Sequence, residues 1–154
     1  MASIEAHLSA LGYLLPVPPA VAGAYVPAVR TGNLLYLAGT LPLKEGKVTA
    51  LGKVGREVDI AQAADAARLC ALNALANAKA ALGSLDRISR VVMVHGFVNG
   101  VDGFSDSPKV LNGASEFLVA VFGEAGRHAR AAVSVNGLPL GVAVEIQIVL
   151  EVRD

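Results

Sequence analysis

The chain has 154 residues, 54% of them hydrophobic, and its 13 Lys+Arg against 13 Asp+Glu leave a formal net charge of zero. That length suits one domain with its own core. No basic cluster or stripe interleaves with aromatic residues, which argues against nucleic acid as the main partner, and no apolar run approaches the about 18–20 uncharged residues of a bilayer span, which argues against a membrane.

The apolar excess is better assigned to a core plus a subunit interface, so an oligomer is expected. The one cysteine, Cys70, has no internal disulfide partner. It falls in a helical pattern, where a small buried hydrophobe is the ordinary role and a reactive thiol the alternative. MASIEAHLSALGYLLP has no basic leader region, carries Glu5 and His7, and spaces Ile4, Leu8 and Leu11 as a helix does. It predicts a short amphipathic helix, not a signal peptide, so a cytoplasmic protein is the default.

PVPPAVAG follows as a Pro-rich connector, so residues 1–20 read as helix and connector and 21–154 as the body of a single domain. Thr31-Gly32-Asn33 signals a hairpin turn between two short strands, the second running from Leu34 to Ala38 and ending at Gly39. KEGKVTALGKVG reads as a polar loop or edge strand. The clearest helix starts after Asp59, which pairs with Gln62 at capping-box spacing, and stops at Gly83. Ile60, Ala64, Ala67, Ala71, Leu75, Ala78 and Leu82 form its seam, and the many alanines allow close packing on a sheet.

A strand is expected over 88–98. SPKVLNGASEFLVAVFGEAG predicts a second helix with Ser107 as cap, Pro108 in its first turn, and Val110, Ala114, Phe117 and Val121 on its apolar face. The order helix, strand, strand, helix, strand, helix, strand, strand implies an α/β (α+β) domain, a mixed sheet with two main helices on one face.

The last two strands read as a hairpin in which Ala131, Val133 and Val135 meet Val142, Val144 and Ile146 over the core. That register makes Arg130 and Glu145 diagonal neighbours on the face away from the helices, with Ala132, Ala143 and Val149 beside them. Three readings stay open. The pair is a solvated surface contact, a structural pair under another subunit, or the lining of an intersubunit cleft. In the last case Arg130 would fork onto a carboxylate and Glu145 would act on a water.

Three collinear segments carry a resemblance. ARAAV and LPLGVAVEI, with GNLLYLAGTLPL and VLNGASEFLVAVFG, resemble signatures of the Rid family, the YjgF-type reactive-intermediate deaminases also labelled L-PSP endoribonuclease-like. The likeness spans residues 21–152, with features of a divergent RidA-like branch. It implies a chorismate-mutase-like fold, a homotrimer with clefts between subunits, and hydrolysis of 2-imino or 2-enamino acids to 2-keto acids and ammonia, without metal or organic cofactor. It implies that Arg130 binds the substrate carboxylate, that Glu145 holds the attacking water, and that Tyr25, Gly39, Thr40, Asn112 and Ala132 line the cleft. Ala132 stands where the family commonly has cysteine, and Thr40 where it commonly has glutamine.

Read from the residues alone, Tyr25 and Asn112 are equally well explained by packing and by local hydrogen bonding. His95 reads as a satisfied core or edge histidine and His128 as a surface residue at a turn. The three histidines match no metal-ligand spacing, and the glycines match neither GxGxxG nor a P-loop. A trimeric keto-acid-binding protein without turnover is the alternative function, and a ribonuclease, with its need for positive charge, the weakest.

Overall fold

A computed structural model describes residues 1–154. Helix α1 (Ile4–Ala10) is capped by Ser3, whose hydroxyl accepts from the Ala6 amide. Leu8 enters the main core, and His7 Nε2 lies 2.9 Å from the Ala120 carbonyl oxygen. Strands β1 (Ala28–Thr31) and β2 (Leu34–Leu37) make the hairpin turned at Gly32 and Asn33, and the small strands β3 (Leu43–Lys44) and β4 (Lys47–Val48) make a second.

Helix α2 (Ile60–Leu82) begins and ends where its caps require. Asp59 accepts from the Gln62 amide at 2.7 Å, the Gln62 side-chain oxygen accepts in return from the Asp59 amide at 2.9 Å, and Gly83 closes the helix in the left-handed conformation. Its second half is buried almost all round, from Cys70 to Ala78 with Leu72 only partly covered, a wider face than the single seam expected. Strand β5 (Ile88–Asn99) leads to helix α3 (Ser107–Phe122). The α3 cap position falls on Asp106, with Ser107 already helical, and Gly123 ends it. Gly113 of α3 lies so close to the Ala64 carbonyl of α2 that any Cβ would collide with it, so this glycine sets how near the helices approach.

Strands β6 (Ala129–Val135) and β7 (Val144–Val152) complete a five-stranded sheet of order β1-β2-β7-β5-β6. The expected β6–β7 hairpin does not form. β6 lies at the edge, parallel to β5, and β7 runs antiparallel between β5 and β2. Helix α3 carries the chain back along the sheet, as a parallel neighbour demands. Residues 136–143 then cross the end of β5, where the Asn99 amide groups donate to the Val142 and Ala143 carbonyls at 3.2 and 2.8 Å. Lys53 fastens this crossing, its ammonium donating to Asn99 Oδ1 at 2.9 Å and to the Asn136 carbonyl at 2.7 Å.

Both helices cover one sheet face, where Val94, Val98, Val144, Ile146, Ile148 and Leu150 are fully buried. Each such side chain contributes about 1.5–3 kcal/mol of transfer free energy. The other face has no covering element within the chain, yet it carries Val29, Tyr36 and Val133, all about half exposed, with Val149, Met93 and Phe97 in the same rows. No helix is long and apolar enough to cross a membrane.

Candidate active site

Strand pairing decides where each charged side chain points. Arg130 pairs with Val94 of β5, a core position, so Arg130 faces the helices. Glu145 pairs with Phe97 of β5, on the uncovered face. β5 separates their strands and they are offset by three residues, which puts their Cα atoms about 14 Å apart at ordinary strand and residue spacings. The expectation of two diagonal neighbours on one face therefore fails. Ala132 shares the helix face with Arg130, and Ala143 is buried just before β7, so neither belongs beside Val149.

The chain accordingly builds two separate groups. The first sits on the β6 edge beneath α3. Arg130 Nη1 donates to Asn112 Oδ1 at 2.9 Å and to Ser115 Oγ at 3.1 Å. Both hydrogens of that nitrogen are thus committed. The Nε–H and Nη2–H edge, which suits a carboxylate fork, makes no bond within the chain. Asn112 and Ser115 are three residues apart on α3, so they present side by side. Ser115 Oγ lies 2.9 Å from His128 Nε2, and His128 Nδ1 lies 2.7 Å from the Gly126 carbonyl oxygen. His128 is half-buried and bonded at both nitrogens, contrary to its reading as a surface residue.

The second group gathers around Glu145, near the ends of β2 and β7. The carboxylate packs against Gly39 so closely that a Cβ there would overlap it. Glu145 is half-buried and has no hydrogen-bond or ion-pair partner. Burial pushes its pKa above the ordinary carboxylate value. Beside Gly39 opens a pocket of about 250 Å³ bounded by Tyr25, Ala38, Leu41, Leu140 and Asn77. Tyr25 is 54% exposed at its rim. Thr40 adjoins the pocket, but its hydroxyl is turned inward and donates to the Cys70 carbonyl at 2.8 Å.

Cys70 lies fully buried behind the sheet, its thiol 3.7 Å from the Val144 carbonyl. Burial first, and then the charge of Glu145, raise its pKa well above the ordinary thiol value, so it serves as a small hydrophobe. His95 stands on the uncovered face, and its buried Nδ1 has no partner, so it is not the satisfied histidine expected. Sequence reading overlooked Ser115. The available signal was its position one helical turn from Asn112, together with the spacing of His128 just before β6 and Arg130 and Ala132 within it.

A family model described as "YjgF/chorismate_mutase-like, putative endoribonuclease" matches residues 5–152. Protein TCP17 of Trypanosoma cruzi is 41% identical over 152 residues, which are 98% of this chain and 95% of that protein. The crystal structure of the protein Atu1372 from Agrobacterium tumefaciens superposes with a TM-score of 0.91 at 49% identity, covering 97% of this chain and 92% of that one. RidA from the Antarctic bacterium Psychrobacter sp. superposes with a TM-score of 0.61 at 33% identity, covering 88% and 94% of the two chains.

Proposed function

The chain belongs to the YjgF/chorismate mutase-like family, and from that premise we propose that it is an enamine/imine deaminase working at a cleft between two copies of itself. The observation that carries this reading is the state of Arg130. Its Nη1 is held by Asn112 and Ser115, and its Nε–Nη2 edge is left unpaired. A small carboxylate is the natural occupant of that edge.

One protomer supplies the carboxylate anchor and a neighbour supplies Glu145 and the pocket that opens beside Gly39. A homotrimer, which the resemblance implies, brings such half-sites together at three equivalent interfaces. The apolar, uncovered sheet face fits the inside of that assembly. No cofactor is needed, because the electrophile is already in the substrate.

The reaction balances simply. The carboxylate of a 2-imino acid forks onto Nε–H and Nη2–H of Arg130, and C2 is held toward Glu145. Glu145 accepts a proton from the attacking water as oxygen bonds to C2. The protonated imine thus becomes a neutral carbinolamine, Glu145 returns that proton to its nitrogen, and as the C–N bond breaks the hydroxyl proton passes to Glu145, so that ammonia and a 2-keto acid leave. An enamine first takes a proton on C3 to become the imine. Holding the two reactants together accounts for much of the rate. A carboxylate whose pKa is raised toward neutrality is a better proton shuttle than an exposed one.

The test generates 2-iminobutanoate in place with threonine dehydratase and follows 2-oxobutanoate and ammonia over the spontaneous rate. The reading predicts acceleration by the wild-type chain and none by Arg130→Ala. No acceleration, with keto acid still bound through Arg130, would instead indicate a metabolite-binding protein.

A further inference from the structure

Arg130 is held by a hydrogen-bond chain longer than its direct partners. We propose that Ser115 and His128 are positioning residues, setting the guanidinium so that its Nε–Nη2 edge meets the substrate carboxylate. This rests on the carboxylate-anchor reading of Arg130 above.

The direction of the chain follows from what each atom can do. The Gly126 carbonyl can only accept, so His128 carries its proton on Nδ1 and donates it there. In the neutral ring Nε2 is then an acceptor, and the Ser115 hydroxyl donates to it at 2.9 Å. With its proton directed at His128, the Ser115 oxygen turns its lone pairs to Arg130 and accepts from Nη1 at 3.1 Å. Asn112 Oδ1 takes the other Nη1 hydrogen at 2.9 Å. Every link donates in one sense, from the guanidinium to a backbone carbonyl, so the ring fixes the hydroxyl and the hydroxyl fixes the arginine.

A neutral His128 is required for this order. Its pKa lies below the usual imidazole value, first because of burial and also because Arg130 is near. Arg130 of β6 is the charged group facing the ring. The turn at residues 123–126 presents the Gly126 carbonyl, and α3 presents the Ser115 hydroxyl. Losing Ser115 leaves Arg130 on one acceptor, free to swing about the Asn112 bond, and losing His128 frees the Ser115 hydroxyl to rotate its lone pairs away from Nη1.

The experiment titrates 2-oxobutanoate, which carries the same carboxylate as the imino acid, into the full-length chain and its variants. Arg130→Ala should abolish binding. Ser115→Ala and His128→Phe should each weaken it about tenfold, the worth of one net hydrogen bond, whereas Ser115→Thr, which keeps the hydroxyl, should stay close to wild type. In turnover the loss should fall on KM and leave kcat nearly unchanged, since the anchor grips ground state and transition state alike. Nitrogen-15 spectra of wild type should show His128 protonated at Nδ1 and bare at Nε2. A Ser115→Ala chain that binds like wild type, or a His128 protonated at Nε2, would overturn the positioning role while the anchor stands. An Arg130→Ala chain that binds like wild type would overturn both.

Discussion

Arg130 and Glu145 point to opposite faces of one sheet, with β5 between their strands. A single copy of the chain therefore cannot place both against one small substrate. Under the proposed deaminase chemistry, assembly would be a condition of turnover, and the apolar, uncovered sheet face is the surface that such an assembly would bury.

Gly39 tests how tightly the Glu145 carboxylate is placed. A methyl at residue 39 would occupy the space that the carboxylate now fills. Gly39→Ala should leave the fold intact and displace Glu145, lowering kcat/KM by about 100-fold, the usual cost of an ångström of misplacement. Circular dichroism beside the deaminase assay would check both halves of the expectation, and unchanged kcat/KM would sever Gly39 from the site.

Glu145 should cost the protein stability at neutral pH. Burial raises its native pKa above the unfolded value, so the unfolded chain ionises more readily. The native state is therefore penalised at pH values above its raised pKa. The penalty shrinks as pH falls through that pKa and is gone below the unfolded value of about 4.3. Glu145→Gln should melt higher than wild type at pH 7, and the two should converge near pH 4. An inactive but more stable variant is the outcome expected where a site is held against the preference of the fold.

Lys53 should matter to folding rather than to chemistry. Its ammonium holds Asn99 Oδ1 and the Gly100 and Asn136 carbonyls where the chain crosses the end of β5. Lys53→Met leaves those acceptors in need of other donors and should lower unfolding free energy by about 2–3 kcal/mol. Urea denaturation measures it, and a midpoint equal to wild type would show that water replaces the ammonium at little cost.

Local signals made much of the fold readable. Asp59, Gln62 and Gly83 set the limits of α2 through contacts within a few residues of the chain, and Gly32 with Asn33 set the first hairpin in the same way. The partnership of β6 was not readable, because alternation reports which residues share a face and not which strand lies alongside. It also misled on the face itself. Val133 and Val135 looked like core, but β6 is an edge strand, and its inward positions are Arg130, Ala132 and Ser134. An edge lets a long charged side chain reach past the core to α3, so the apolar residues fall to the uncovered face, where Val133 is 49% exposed. The charge pattern did draw attention to Arg130 and Glu145, and the family resemblance to Asn112, which bonds Arg130. Ser115 stayed unnoticed and His128 was read as a surface residue, because each is ordinary until strand and helix bring them together.

The most direct test of a shared site mixes two dead variants. Arg130→Ala and Glu145→Gln would be purified, unfolded and refolded together in equal amounts, with each refolded alone as the control. A cleft that takes Arg130 from one copy and Glu145 from the next is intact in about a quarter of random pairings. Activity should return to about that fraction of wild type in the mixture and stay absent in both controls. A mixture as inactive as its components, with mixed oligomers demonstrated by mass, would contradict a shared site.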